Sequence, residues 1–469
     1  MNGKSIPMAL AALALSCGSV LAQDQAFNVY GFADAKMEKG FREDNHFLYT
    51  YLNSEPLWSV DHFNLYFDFK PMPTTRALLE IGFIHQTTLE PATFADQIIT
   101  THFSGVNPAI APLLAANGFT ETRTDTAKGK SEKSTNIPSI ERAYFDILLH
   151  PKLNVRLGKF ITPAGIWNVD HGSPVILTVA QPNQTALIPI FPEKQSGIML
   201  YGNGYFGDHD YDYTAYVSTG TDPDKNALDG IQDLSGGGHA GLKLDLPVKV
   251  KLGASVYSGL TRYTKAVGYS DRTIPYSQVS TLDTTVAPFP LPDPAKLVPA
   301  MSIPPAFDQV HYKDVVVQQD RHLAWGVDGR FDYQAAFLQA EFNQRFTANE
   351  LNKDKTAKVT GYYFILGYKV PVNEAISLTP YGMYEAIFWE RMINTPSTSG
   401  FSNLPMEGFD RWLGGVNIGL LGNMYVKIEY VYSLLRDLDT PPALPFMKLN
   451  YKAGDTDVSV FSTQFAIAF

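Results

Sequence analysis

Apolar and polar residues alternate strictly along the last residues of the chain. The first face of this stretch carries mostly large apolar side chains: Phe461, Thr463, Phe465, Ile467 and Phe469. The second face carries small or polar ones: Ser462, Gln464, Ala466 and Ala468. Because a period of two places successive side chains on opposite faces of a β-strand, the pattern predicts a terminal strand with one oily face.

The same alternation recurs along the chain and predicts sixteen strands. They lie near 27–37, 58–70, 75–87, 139–149, 153–160, 195–206, 210–219, 237–246, 248–262, 320–333, 335–347, 358–370, 375–390, 409–421, 423–435 and 457–469. In the tenth of them, Leu323, Trp325 and Val327 alternate with Gly326 and Asp328. The chain is therefore predicted to be all-β.

The connections between these strands alternate in length. Those after even-numbered strands are short and rich in Pro, Gly, Asn and Asp, which are turn residues. Those after odd-numbered strands are long: 38–57, 88–138, 161–194, 220–236, 263–319, 348–357, 391–408 and 436–456. Bacterial outer-membrane barrels have short periplasmic turns and long extracellular loops. The sequence thus predicts a transmembrane antiparallel β-barrel of about sixteen strands. An edge strand of a soluble sandwich is the alternative reading of the final strand alone.

The composition agrees with a barrel in lipid. Charged residues make up 18% of the chain, below the roughly 25% of ordinary globular proteins. Aromatic residues make up 13%, with 25 Tyr and 29 Phe, and such residues collect where a barrel meets the membrane interfaces. The net charge of −10 argues against a nucleic acid partner. Outer-membrane lipid is the expected partner instead.

Residues 1–22 have the features of a secretory signal peptide. Lys4 supplies the positive charge, an apolar run follows, and small residues precede a predicted cut before Gln23. The single cysteine, Cys17, lies inside this segment, and the residues before it fit a lipidation signal poorly. We therefore expect residues 23–469 to form one barrel domain, exported to the outer membrane of a Gram-negative bacterium.

A short motif follows the fifth predicted strand. Its residues are Arg156, Gly158, Lys159, Phe160, Pro163 and Gly165. The stretch 156–168 resembles the Arg-x-Gly-Lys-Phe-x-x-Pro-x-Gly segment at the same place in the phosphate-selective porin O/P-like superfamily. In sixteen-stranded porins the loop at this place folds into the barrel and narrows the pore, so the resemblance implies that role for 161–194. Pro163 and Gly165 would bend the chain away from the sheet. An external loop that caps the barrel mouth is the alternative.

The resemblance does not extend to the residues that give phosphate selectivity. Phosphate-selective members carry an arginine ladder along the pore and a lysine cluster at the constriction, and neither is found here. The predicted lumen face mixes both signs of charge: Lys36, Lys70, Arg76, Arg142, Arg156, Lys243, Lys249, Lys251, Arg330, Arg345, Lys369, Arg411 and Lys427 with Asp34, Asp68, Glu80, Asp146, Asp245, Asp328, Asp332, Glu341, Glu385 and Glu429. Wall hydration and salt bridges are the expected role of most of them.

The candidate site is a constriction between the loop and the wall. We select these pore-lining residues: Arg142, Arg156, Asp170, His171, Asp328, Arg330 and Glu385. Opposing charges would set a transverse field and the loop a size limit. The predicted function is passive diffusion of small hydrophilic solutes or inorganic ions, and the resemblance suggests a homotrimer. The alternatives are a structural or adhesive barrel that presents loops 88–138 and 263–319, and a barrel enzyme or apolar-substrate transporter.

Other motifs give no chemistry. The run 170–173 contains Asp, His and Ser, but adjacent positions cannot make the geometry of a hydrolytic triad. The acidic residues Asp222, Asp224, Asp229 and Asp233 do not have the spacing of an EF-hand calcium loop. The chain has no haem-attachment motif. The sequence therefore predicts no catalytic residue, cofactor or metal site.

Overall fold

The computed structural model describes residues 26–41, 56–91, 120–125, 130–169, 172–185, 189–219, 234–270, 310–349, 356–390, 408–436 and 457–469. Eighteen β-strands lie in these ranges: β1 (Phe27–Phe41), β2 (Leu57–Met72), β3 (Thr75–Pro91), β4 (Thr120–Asp125), β5 (Lys130–His150), β6 (Leu153–Ile161), β7 (Lys194–Phe206), β8 (His209–Ser218), β9 (Ser235–Leu244), β10 (Lys249–Ser270), β11 (Val310–Tyr333), β12 (Ala336–Asn349), β13 (Thr356–Tyr368), β14 (Val370–Pro371), β15 (Ile376–Glu390), β16 (Gly408–Leu420), β17 (Met424–Arg436) and β18 (Asp457–Ala468). Among these residues no helix is long and apolar enough to cross a membrane.

Sixteen of the eighteen strands form a closed antiparallel wall. The two-residue β14 continues β13 along β15, and β4 pairs only with the first residues of β5. Each of the sixteen strands is a neighbour in the sheet of the strands that precede and follow it in the chain. Between β10 and β11, the Asp328 carboxylate on β11 lies against Gly253 on β10. The first strand, β1, pairs with both β2 and β18, which closes the barrel. The predicted sixteen-stranded antiparallel barrel is confirmed.

Residues 1–261 and 320–469 belong to one compact unit, which holds most of the wall. Residues 262–319 belong to a second unit. In that unit the structure describes strand residues 262–270 of β10 and 310–319 of β11. The expectation of a single barrel domain over 23–469 stays a prediction, and the proposed signal peptide at 1–22 lies outside the described residues.

The two faces of the wall differ as the alternation predicts. On β18, Ser462, Gln464 and Ala466 are buried, while Phe465 between them is 44% exposed. On β11, Leu323 is exposed on the same face as Val327. A charged side chain costs about 2–4 kcal/mol on the lipid face of a barrel at mid-depth. The apolar face therefore points outward and the polar face lines the interior.

The C-terminal residue takes part in the closure. The Phe469 N–H donates to the Gly31 carbonyl, and the Gly31 N–H donates to the Phe469 carbonyl, each at 2.9 Å. The Phe469 ring lies 6.2 Å from the ring of Phe63 on β2. The last residue thus extends the β1–β18 pairing to the end of the barrel where the connections are short.

The strands extend furthest beyond their predicted edges at the end of the barrel where the connections are long. There β5 begins at Lys130 rather than near 139, β10 runs to Ser270, and β11 begins at Val310. Residues 130–136 are polar on both faces, so they give no alternation of apolar and polar residues. Residues 94–114, whose sequence is compatible with short helices, and the proline-rich stretch 288–305 lie outside the described residues.

Candidate functional site

Residues 162–193 connect β6 to β7, and the described part of them (162–169, 172–185 and 189–193) is called here the inner segment. It begins where β6 ends at Ile161, and Gly165 then takes a left-handed backbone conformation with φ of +64°. A Cβ atom at this position would lie 2.5 Å from the Glu341 carboxylate oxygen Oε2. Gly165 is thus required both by its backbone conformation and by the close approach of Glu341.

The two ends of the inner segment are tied together. The Thr162 N–H donates to the Glu193 carbonyl at 2.9 Å, and the Asn168 amide donates to the Thr162 carbonyl at 2.7 Å. Ile190 and Phe191 are buried with Phe160 of β6 in an apolar cluster. This packing accounts for the unusual apolar content of the segment.

A buried glutamate on β12 binds the first turn of the inner segment. The Ile166 and Trp167 N–H groups donate to Glu341 Oε1 at 2.6 and 2.8 Å. The Tyr363 hydroxyl donates to the same oxygen at 2.7 Å. Glu341 is only 3% exposed, so these donors replace the water that a carboxylate would otherwise bind.

A second glutamate repeats this arrangement on β17. The Val179 N–H donates to Glu429 Oε2 at 3.0 Å, and the Ala180 N–H donates to Oε1 at 2.9 Å. The Tyr381 hydroxyl donates to Glu429 Oε2 at 2.7 Å. Glu341 and Glu429 are therefore equivalent anchors, each with two backbone N–H groups and one tyrosine.

A third glutamate, Glu385 on β15, acts together with an arginine. The Asn183 N–H donates to Glu385 Oε1 at 2.6 Å, and the Arg411 guanidinium forms an ion pair with the same carboxylate. Arg411 also donates to the Gln181 carbonyl at 2.5 Å. This pair therefore binds both a donor and an acceptor of the segment backbone.

Other cations of the wall bind backbone carbonyls of the inner segment. The Lys427 ammonium donates to the Ser173 carbonyl at 2.5 Å and the Thr178 carbonyl at 3.2 Å. The Arg345 guanidinium donates to the Pro189 carbonyl at 2.6 Å. A loop buried inside a protein must satisfy its backbone polar groups, and these wall side chains satisfy many of them.

The anchors lie across the barrel from the place where the inner segment starts. Its two ends join β6 and β7, the fifth and sixth strands of the sixteen-stranded wall. Glu385 and Arg411 lie on β15 and β16, the thirteenth and fourteenth strands, which are eight strands away and thus half the circumference. The inner segment therefore passes through the interior to the far side.

The wall next to the start of the inner segment, formed by β3, β5 and β6, is called here the nearer wall. It carries arginines that the inner segment leaves partly exposed. Arg142 on β5 pairs with Glu80 at 2.5 Å, and Arg156 on β6 pairs with Asp146 at 2.8 Å. The two arginine side chains are 26% and 20% exposed, whereas both carboxylates are 1% exposed. Arg76 on β3 forms a pair of the same kind. The guanidinium groups thus face the interior of the barrel, and the carboxylates that pair with them are buried in the wall.

The predicted site residues occupy three separate sectors. Arg142 and Arg156 lie on the nearer wall, Asp328 and Arg330 lie on β11, and Glu385 lies beneath the inner segment on β15. The loop residues at 170 and 171, selected as the partners of these charges, lie outside the described residues. Arg142 and Arg156 thus lie on the paired strands β5 and β6, but the set as a whole is not gathered into one cluster.

Sequence reasoning placed Glu341 and Glu429 on the lumen face but missed their role as anchors. The available signal was the apolar character of 161–194, because a loop with few polar side chains must find partners for its backbone elsewhere. Within the described residues, no group of three or more His, Cys, Asp or Glu side chains could hold a metal ion.

No family model matches the chain, and no curated protein matches its sequence. Among solved structures, the outer-membrane expressed OmpT of Vibrio cholerae is 9% identical with a TM-score of 0.48, over 96% of this chain and 100% of that one. The anion-selective porin from Comamonas acidovorans is 9% identical with a TM-score of 0.46, over 94% of this chain and 99% of that one. The outer membrane channel DcaP of Acinetobacter baumannii is 9% identical with a TM-score of 0.45, over 94% and 97%. Similarities at this level establish neither a family nor an activity.

The structure itself places the chain among closed, sixteen-stranded antiparallel β-barrels with a polar interior. Barrels of about sixteen to eighteen strands are wide enough to leave an aqueous channel. In this barrel the inner segment occupies part of that interior.

Proposed function

We propose that the chain is an outer-membrane porin, a channel for passive diffusion of small hydrophilic solutes or inorganic ions. The observation that best supports this proposal is the inner segment, which three buried glutamates bind to the far wall of a barrel with a polar interior. A barrel that only presents surface loops has no need of a shaped interior. A loop fixed inside the barrel gives a channel a defined width.

In this proposal the pore runs between the inner segment and the nearer wall. The partly exposed guanidinium groups of Arg142 and Arg156 would line it, with their buried carboxylates behind them. Glu385 would act by positioning the segment, since it is 1% exposed and bound to Asn183 and Arg411. The roles of Asp328, Arg330 and the residues at 170 and 171 stay predictions.

Outer-membrane localisation and outer-membrane lipid as the partner belong to the same proposal, because the outward face is apolar and aromatic. Assembly as a homotrimer stays a prediction from the resemblance described above. Phosphate selectivity is not part of the proposal, since each of the wall arginines Arg76, Arg142 and Arg156 is already paired with a carboxylate.

Conductance tests the proposal. Purified protein added to a planar lipid bilayer in potassium chloride should give stable, stepwise current increases of one size. A folded barrel that inserts into the bilayer without giving current steps would overturn the porin proposal and favour the structural or adhesive alternative.

A further inference from the structure

A cavity of about 140 Å³ lies between the inner segment and strands β11 to β13. Most of its lining residues are apolar, with Ile176 and Leu177 from the segment and Phe337 and Ile365 from the wall, and the Gln339 side chain is also part of the lining. Arg330 is the one charged side chain among the residues that line it. The cavity is thus a chamber of mainly apolar side chains beside one guanidinium group and the Gln339 amide.

The volume fits one six-membered ring. An apolar cavity of roughly 150 Å³ in another protein binds benzene, and the present cavity is nearly as large. A ring in this space would remove the apolar side chains from water, which favours binding.

Arg330 is held in place with part of its hydrogen-bonding edge unused. Its Nε and Nη2 groups donate to the Asp332 carboxylate at 3.0 and 2.9 Å, and its guanidinium lies 4.6 Å from the centre of the Phe337 ring. A weak contact joins Nη1 to Gln339 Oε1 at 3.4 Å. An arginine has five N–H donors, so two remain after these three bonds. Both are on the terminal nitrogens, whose planar fork matches a carboxylate.

We propose that this cavity binds a small aromatic monocarboxylate, with its ring in the apolar chamber and its carboxylate on the terminal edge of Arg330. This inference deepens the proposed function, because it names a solute class for the channel. Binding itself does not depend on an open pore.

The surrounding charges keep the affinity low. Asp332 already neutralises Arg330, so a bound carboxylate adds an unbalanced negative charge. The nearby Glu341 does not line the cavity, and its oxygens accept bonds from Ile166, Trp167 and Tyr363. A dissociation constant on the order of millimolar is expected, which corresponds to about −4 kcal/mol. Such weak binding suits a site that a diffusing solute must leave quickly.

Saturation-transfer NMR on the detergent-solubilised full chain tests the proposal, with benzoate as the probe. Benzoate should bind, while acetate (no ring) and benzyl alcohol (no charge) should bind at least about tenfold more weakly. Arg330→Gln should weaken benzoate binding by about tenfold or more, since it removes the charged fork. Arg76→Gln is the matched control, because it removes another paired wall arginine away from the cavity, and it should leave benzoate binding within about twofold.

A second variant removes the chamber and keeps the arginine. Val175 lines the cavity and is 70% exposed, so Val175→Trp can fill the space without overpacking a core. It should also weaken benzoate binding about tenfold. Benzoate binding that is unchanged in both variants, or benzyl alcohol binding as tight as that of benzoate, would overturn the proposal. Bilayer recordings separate the two claims: wild-type channels without benzoate binding defeat only this inference, whereas binding without channels defeats only the porin proposal.

Discussion

At the residue scale, buried carboxylates and backbone amides satisfy each other. Glu341, Glu385 and Glu429 are at most 3% exposed, and burial of an unpaired charge is costly. Each carboxylate accepts hydrogen bonds from backbone N–H groups of the inner segment. Those N–H groups would otherwise be buried without partners, because they have left the β-sheet. The charge on the wall and the path of the loop therefore stabilise each other.

Replacement of one anchor by its neutral counterpart tests this relation. Glu429→Gln keeps the size of the side chain but loses the charge that accepts from Val179, Ala180 and Tyr381. The free energy of unfolding, measured by urea titration in lipid vesicles, should fall by about 1–3 kcal/mol. Glu390→Gln is the control. Glu390 is 65% exposed and pairs with Lys358 at 3.4 Å, so this change should cost under about 1 kcal/mol. Equal costs for the two variants would contradict the anchoring role of Glu429.

At the element scale, the inner segment depends on a turn shortly after β6 ends at Ile161. Gly165 has a φ of +64°, and it lies directly against the Glu341 carboxylate. The turn directs the following residues toward the far wall instead of along the sheet. One glycine thus joins a regular strand to a segment that crosses the barrel.

Gly165→Ala should destabilise the barrel more than backbone conformation alone explains. A left-handed conformation costs an alanine about 1–2 kcal/mol, and at Gly165 the added Cβ would also meet the Glu341 carboxylate at 2.5 Å. Gly207→Ala isolates the first effect, because Gly207 has φ of +62° and no atom within 4 Å of an added Cβ. Urea titration should show a greater loss for Gly165→Ala. A loss no greater than that of Gly207→Ala would contradict the close approach of Glu341 to Gly165 as a source of the destabilisation.

The sequence predicted the strands and an inward course for the loop after the fifth strand, but it did not predict which wall residues bind that loop. Alternation marks a strand wherever one face meets an apolar environment, as with Leu323 and Asp328 on β11. It disappears in residues 130–136, where both faces are polar, so the start of β5 was missed. The partners of the segment are far apart in sequence: Trp167 binds Glu341, and Ala180 binds Glu429. Local patterns place both glutamates on the inner face, but only the three-dimensional path of the loop decides which residues they bind.

At the scale of the whole molecule, the barrel has two unlike inner sides. The far wall is used to hold the inner segment, while the nearer wall presents Arg142 and Arg156 above buried carboxylates. If the pore lies between them, the exposed guanidinium groups set its preference for ions. The field of such groups acts on every permeating solute.

Arg156→Ala should shift the channel toward cations. The change removes the positive charge and uncovers Asp146, to which Arg156 donates two hydrogen bonds. The reversal potential in a potassium chloride gradient should move in the direction of higher cation permeability. Lys358→Ala is the control. Lys358 lies six residues before Phe364 on β13 and therefore on the same outward face, where Phe364 is 48% exposed. This substitution should leave the reversal potential unchanged. An unchanged potential for Arg156→Ala would exclude Arg156 from the pore lining.

Single-channel conductance of a variant without the inner segment shows whether this segment narrows an open pore. The Asn168 amide lies 3.3 Å from the Glu193 carbonyl, so a short Gly-Ser linker can replace residues 169–190 and rejoin the ends. The wild type should give stable channels, and the variant should give channels of clearly larger unit conductance. Wild-type protein without channels, or a variant whose conductance equals that of the wild type, would contradict a pore narrowed by this segment.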